Sequence, residues 1–231
     1  MIVAQWNTHH SGVGSDGKLN PEHIADTLAM LNADVVCLQE VERFTGYGNF
    51  DPLDKWCKLL GANWSGYFCT LTGHLDGKGP GIIIMSRLPM ELPQAKGLVA
   101  GRAILTANIG GRLIACTHLD NVSASTRNIE GTQINCWPVV NQASPAILCG
   151  DWNAQTNTVE LAPFGAWYRD AWAEGVKTGL ATSFNGTGNT RNTRIDIVYY
   201  RGLTLKHVNV PDTRINGVFP SDHHPVVVEF A

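Results

Sequence analysis

The chain of 231 residues predicts an α/β protein of two layered sheets, on three observations. Short runs of β-branched and apolar residues recur along its whole length, as Ile2-Val3-Ala4, Val35-Val36-Cys37-Leu38, Ile82-Ile83-Ile84 and Val226-Val227-Val228. A few segments of helical period lie between them. No fixed-period repeat, low-complexity stretch or linker divides the chain, so one domain over residues 1–231 is expected.

Each element has its own signal. Residues 2–7 read as a strand, and a loop rich in Gly, Ser and Asp follows at residues 11–18. Asn20-Pro21 then pairs an N-cap with proline at the first helical position. Ile24, Leu28 and Leu31 recur at i, i+4 and i+7, one apolar face of a helix. Asp34 to Gln39, Gly81 to Ser86, Arg102 to Ile109 and Arg112 to His118 read as strands, the last two joined by Gly110-Gly111 as a hairpin. Residues 123–137 are expected to be helical, with Pro138 marking the end, and a short helix is expected over Thr158 to Phe164. Ala146 to Cys149, Arg194 to Tyr200, Leu203 to Val210 and Pro225 to Phe230 complete the strands.

Composition narrows the class. Hydrophobic residues at 44% and charged residues at 16% describe a globular chain with a substantial core. The net charge of −3 lacks the basic excess with which proteins usually neutralise nucleic-acid phosphates, so such binding would need a local patch. No apolar run approaches the ~20 residues that span a bilayer, and a cytoplasmic, monomeric protein is expected. Cys37, Cys116 and Cys149 lie inside apolar runs and read as small core hydrophobes. Cys57, Cys69 and Cys136 lack metal-ligand spacing, and all six are expected to be reduced thiols.

The chemistry lies at strand ends. Asn7, Glu40, His118 and Asp151 each follow an apolar strand, Asp196 sits within Arg194-Ile195-Asp196-Ile197-Val198, and Asp222-His223 precedes the last strand. Polar and charged groups are rarely set against core strands without partners, and six such placements together point to a site. Glu40 and Asn7 offer hard oxygen atoms suited to Mg²⁺ or Mn²⁺. His223 could take a proton near neutral pH, with a carboxylate such as Asp196 orienting its ring.

Leu38-Gln39-Glu40-Val41, Gly150-Asp151-Trp152-Asn153-Ala154, Arg194-Ile195-Asp196-Ile197-Val198 and Ser221-Asp222-His223-His224-Pro225 resemble the ordered motifs of the endonuclease/exonuclease/phosphatase superfamily. Trp6-Asn7 and Thr117-His118-Leu119 also fit, so the resemblance runs from residue 2 to residue 230. It implies a four-layer α/β/β/α sandwich of mixed, mainly antiparallel sheets. It also implies a hydrolase of phosphate esters that uses Mg²⁺ or Mn²⁺ and an activated water. Glu40, Asn7 and Asp222 would be the metal residues, and His118, Asp151, Asn153, Asp196 and His223 the catalytic ones. Asp151 and His223 both remain open as the group that activates water. Asn153 would bind a phosphate oxygen, and His118 would stabilise the pentacovalent phosphate or protonate the leaving oxygen.

Thr117-His118-Leu119 is similar to the branch with DNase I-like nucleases, sphingomyelinases and inositol-phosphate phosphatases. A phosphodiesterase acting on DNA is the first expectation. A phospholipid phosphodiesterase or a phosphatase is the alternative, and a non-catalytic interaction module ranks last. Arg43, Arg127 and Arg191 are candidate phosphate contacts through their guanidinium forks. Phe44, Tyr47, Trp152 and Phe184 could stack on a base or sugar. His9-His10 and His223-His224 do not suggest zinc, because neighbours on extended chain face opposite ways; His10 reads as part of a substrate loop and His224 as filler. Relatives commonly carry asparagine where this chain has Ile82, which puts one polar contact near the phosphate, and with it the substrate, in doubt.

Overall fold

The computed structural model describes residues 1–231. Thirteen strands are β1 (Ile2–Asn7), β2 (Val35–Arg43), β3 (Ser65–Thr70), β4 (Gly79–Ser86), β5 (Met90–Leu98), β6 (Arg102–Ile109), β7 (Arg112–His118), β8 (Ala146–Asp151), β9 (Arg169–Asp170), β10 (Ala181–Ser183), β11 (Asp196–Arg201), β12 (Leu205–Val210) and β13 (Val226–Phe230). They form a seven-stranded sheet in the order β10-β12-β13-β1-β2-β4-β3 and a six-stranded sheet in the order β5-β6-β7-β8-β11-β9.

Burial explains the layering. Strand residues that face the other sheet are apolar, among them Val3, Cys37, Ile84, Leu105, Cys116, Cys149 and Val198, and they close one core between the sheets. The outward faces are apolar too. Trp6, Leu38 and Phe68 lie under helices Pro21–Leu31 and Pro52–Leu60, which contribute Ile24, Leu28 and Trp56. Leu148, Trp152 and Tyr199 lie under helix Ala124–Asn135 and the turn Ala162–Gly165, which contribute Ile134 and Phe164. Three cores need four layers, and the α/β/β/α sandwich is the result.

Strand direction positions the site. β1 and β2 run parallel, as do β7 and β8, so Asn7, Glu40, His118 and Asp151 all emerge at one end. β11 runs antiparallel to β8 and β13 antiparallel to β1, so their starts arrive at that same end. Asp196 thereby pairs with Asp151 in register, and His118 pairs with Asp151 on the other side.

Several expectations shift. Asn20 caps its helix as foreseen, accepting from the backbone N–H of His23. Residues 123–137 form Ala124–Asn135 followed by a separate helical turn from Pro138. Of Thr158 to Phe164, only Ala162–Gly165 is a helical turn; the residues before it are looped. The strand expected over Arg194 to Tyr200 begins at Asp196, not Arg194. β3, β5, β9 and β10 and helices Pro52–Leu60 and Ala171–Thr178 escape the periodicity. β5 carries Pro93 and Gly97 on an edge, where a lost ladder donor is tolerated. All six cysteines are free, and Cys37, Cys69, Cys116 and Cys149 are buried. No helix is long and apolar enough to cross a membrane.

Candidate active site

The strand ends meet in one buried polar cluster. His223 Nδ1 donates to Asp196 Oδ2 at 2.7 Å, and Gln5 Nε2 donates to Asp196 Oδ1 at 2.8 Å. Gln39 Nε2 in turn donates to Gln5 Oε1 at 2.8 Å. Both oxygens of a fully buried carboxylate are therefore satisfied, which fixes the imidazole plane and leaves His223 Nε2 directed at Asp151 Oδ2, 3.8 Å away. His118 Nε2 approaches the same oxygen at 3.6 Å. Asn7 Nδ2 bridges the two acids, donating to Glu40 Oε1 and Asp151 Oδ2 at 3.0 Å each.

Backbone irregularities aim two of these groups. Glu40 has φ +51°, and the β2–β4 register shifts between Leu38 and Val41. A bulge there turns the Glu40 side chain out of the strand alternation and into the cluster. Asn153 has φ +49°; its N–H donates to Asp151 Oδ1 at 3.0 Å and its Nδ2 to the Leu119 carbonyl at 3.0 Å. An asparagine tolerates this left-handed conformation, and here it ties the loop after β8 to the loop after β7.

Burial and charge set the protonation states. Burial pushes Asp151 up, Asp196 adds repulsion, and the carboxyl reaches about 7. Burial pulls His223 down, but the charge and hydrogen bond of Asp196, with Asp151 and Asp222 behind it, outweigh this and raise it to about 9. Burial and then the Arg102 charge drive His118 down to about 3, so its imidazole is neutral. Burial works against the Glu40 carboxylate, yet the neighbouring imidazoles and the Asn7 hydrogen bond hold it below its ordinary range.

A divalent cation fits this donor set. Glu40 Oε1 is taken by Asn7, whereas Oε2 accepts no hydrogen bond and faces the cleft. Asp151, Asp196 and His223 also bring one donor atom apiece within 4.8 Å of one another. Of these three only His223 and Asp196 are hydrogen-bonded to each other, with Asp151 3.8 Å from the His223 ring, and Glu40 Oε2 is an oxygen of the kind a hard ion takes.

Most of the expected residues converge, whereas Asn7, Asp222, Arg43 and Arg127 find other partners. Asn7 spends its Oδ1 on the His9 N–H at 3.0 Å and turns Nδ2 to the cluster, so it spaces the acids. Asp222 faces Arg191 at 2.6 Å and His9 at 3.7 Å. Arg43 is committed to Asp51 at 2.7 Å and Asp76 at 3.6 Å, and Arg127 to Glu160 at 3.1 Å. Both guanidinium groups are thus paired with carboxylates of their own, Asp51 and Glu160 being largely buried and Asp76 exposed. Of the three arginines, only Arg191 pairs with a residue expected at the site, Asp222. Ile82 is buried between the sheets, and no polar group takes its place there. Trp152 is core, edge-on to Phe164 and Tyr199. His224 packs between Phe184 and Phe219 and is no mere filler.

Gln5 and Gln39 were missed by sequence reasoning. Their signal was present: two amides inside otherwise apolar strands need buried partners. His9 and His10 do not lie on extended chain. His9, His10 and Ser11 have φ of +46°, +54° and +64°, a left-handed turn. The two rings still separate, His9 toward Asp222 and His10 toward Glu40 and Glu42.

Residues 4–223 match the model of the Endonuclease/Exonuclease/phosphatase family. The chain belongs to this family. Solved structures agree in fold along its full length. A family protein of Beutenbergia cavernae is 21% identical, with a TM-score of 0.77, and the match covers 100% of this chain and 71% of that one. A mannosyl-6-phosphatase of Bacteroides thetaiotaomicron is 19% identical at a TM-score of 0.76, covering 100% and 99%. The catalytic domain of human nocturnin, with bound sulfate, is 20% identical at 0.74, covering 100% and 94%. No curated protein sequence matches. Family members are hydrolases of phosphoester bonds that generally depend on divalent metal, and the open Glu40 oxygen suits that chemistry.

Proposed function

We propose that this chain is a divalent-cation-dependent phosphoesterase that acts on small phosphate esters in preference to DNA. The observation that carries it is the single buried constellation of Glu40, Asn7, Asp151, His223 and Asp196, assembled from five strand ends. Glu40 would hold the cation, Mg²⁺ or Mn²⁺, with Asp222 and the Asn7 amide nearby. The bound cation would supply charge neutralisation at the phosphoryl oxygens.

Protonation assigns the remaining roles. Asp151, raised to about 7, is poised to accept a proton from water at neutral pH. His223, raised to about 9, is an imidazolium there and so a donor to a phosphoryl oxygen; Asp151 takes the part of base. The water oxygen forms the new P–O bond, its proton passes to Asp151, and the ester oxygen departs with a proton from solvent. Neutral His118 offers a hydrogen bond without adding charge, and Asn153, whose backbone N–H donates to Asp151 and whose Nδ2 donates to the Leu119 carbonyl, would turn its remaining amide proton to a phosphoryl oxygen.

Substrate size follows from the arginines. A polyanion needs several uncompensated cations along its path. Arg43, Arg127, Arg191 and Arg194 are each paired with a carboxylate, Arg102 near His118 is not, and the net charge is −3. The mannosyl-6-phosphatase spanned along 99% of its length supports a small ester as well. The test is a panel of p-nitrophenyl phosphate, bis-p-nitrophenyl phosphate, sugar phosphates, sphingomyelin and plasmid, with Mg²⁺ or Mn²⁺ and with EDTA. Cation-dependent turnover of a small ester, abolished by Glu40→Ala, is expected. Plasmid cut more efficiently than every small ester would reverse the substrate order, and inertness on all of them would remove the enzyme reading.

A further inference from the structure

The left-handed turn after β1 is built with unusual care around one ring. Non-glycine residues seldom take φ near +50°, and three in succession do so here. Thr8 Oγ1 donates to the Gln39 carbonyl at 2.8 Å, and the Glu42 N–H donates to Ser11 Oγ at 2.7 Å, so both ends of the turn are fastened to β2. His10 is then fixed on two sides. Its Nδ1 meets the buried Glu42 carboxylate at 2.9 Å, and its ring stacks on Tyr47 at 4.3 Å between centroids with 5° between planes. Its Nε2 faces Glu40 Oε2 across 3.9 Å.

We propose that His10 Nε2 is a nitrogen ligand of the cation held by Glu40, and that the site therefore prefers a first-row transition ion to Mg²⁺. The inference rests on reading the cluster as a divalent-cation phosphoesterase and names the ion it selects. A carboxylate can only accept from Nδ1, which leaves the Nε2 lone pair pointing at Glu40. Carboxylate, imidazole and cation in a row is the arrangement that orients metal-bound histidines. Nitrogen and oxygen each bind such ions at roughly 2.1 Å, so one ion can span up to about 4.2 Å between them. The gap of 3.9 Å lies within that reach. Imidazole adds affinity for Mn²⁺, Co²⁺ or Zn²⁺ and little for Mg²⁺, which favours oxygen donors. Tyr47 and Glu42 hold the ring before the ion arrives, and the open Oε2 completes the pair.

The test uses Mn²⁺ as the probe on the full chain, by calorimetry and by electron spin-echo detection of ¹⁴N coupled to the ion. The wild type should show direct ¹⁴N coupling and bind Mn²⁺ more than about tenfold tighter than Mg²⁺. His10→Ala should lose the coupling and about tenfold or more in Mn²⁺ affinity, with Mg²⁺ affinity within about threefold; His9→Ala should keep the coupling. Glu42→Gln should weaken Mn²⁺ about tenfold while leaving the ligand in place. If His10→Ala does not fold, His10→Asn serves, since asparagine accepts left-handed backbone and is too short to reach. Mn²⁺ bound without ¹⁴N coupling, or coupling that survives in the His10 variant, overturns the ligand while leaving the phosphoesterase standing. No Mn²⁺ binding at all overturns both.

Discussion

Replacing Asp196 by asparagine tests the proton logic of the site. The wild-type carboxylate is 1% exposed and accepts twice, from His223 Nδ1 at 2.7 Å and from Gln5 Nε2 at 2.8 Å. An amide keeps the shape but loses the charge, and one of its ends presents N–H to a group that was donating. His223 then retains its burial, which lowers its affinity for a proton, without the main charge that reverses it. The rise from 6.5 to about 9 corresponds to about 3 kcal/mol at 1.36 kcal/mol per unit. That is the net of Asp196, Asp151 and Asp222 against burial, and it sets the order of magnitude for Asp196. The sign follows from a folded pKa above the unfolded one: the stabilisation is complete below about 6.5 and is lost as pH rises through about 9. Asp196→Asn should therefore cost on the order of 3 kcal/mol more at pH 6 than at pH 10, measured by urea unfolding. In the same variant kcat should fall steeply, by as much as the roughly 10,000-fold seen when an orienting carboxylate is removed from a hydrolytic triad. An NMR titration of the His223 ring that still centres near 9, with kcat within tenfold of wild type, would refute the scheme.

Three further outcomes are expected. Gly81→Ala places a Cβ 2.2 Å from the Cys69 carbonyl and 2.5 Å from the Phe68 ring; it should lose about 1–3 kcal/mol by overpacking, and an unchanged urea midpoint would contradict the packing. Arg43→Ala breaks an ion pair with Asp51 that is distinct from the reacting cluster; KM should stay within about twofold and stability should fall by about 1 kcal/mol, so a large KM increase would restore Arg43 as a phosphate contact. Gln5→Leu frees one oxygen of Asp196 and leaves Gln39 Nε2 with only the Cys116 sulfur as acceptor. It should lower kcat about tenfold or more with KM little changed, and a change confined to KM would place Gln5 at the substrate instead.

Much of the site was legible because its residues sit at the ends of short apolar strands, where a charged or amide side chain is conspicuous. Asn7, Glu40, His118, Asp151, Asp196 and His223 stand out on that ground alone, and the order of their motifs points to the family. The strands themselves announce their period where they are central and apolar. β3, β5, β9 and β10 do not, since edge position, Pro93 and Gly97, or a length of two or three residues leave no pattern to read.

What one chain position can determine by itself is its own chemistry: a carboxylate, an imidazole, a cap, a turn former. Which partner each group meets depends on strand direction and register, and these are set by burying three apolar surfaces at once. Pairing of β11 with β8 brings Asp196 beside Asp151 across 45 residues, and the β2 bulge turns Glu40 inward. The same packing sends Arg43 to Asp51 and Arg127 to Glu160, away from the role their chemistry allowed. It also bends residues 9–11 into a left-handed turn, where two adjacent histidines find different acids. Long-range electrostatics depends on distances of a few ångströms, and only the closed fold supplies them.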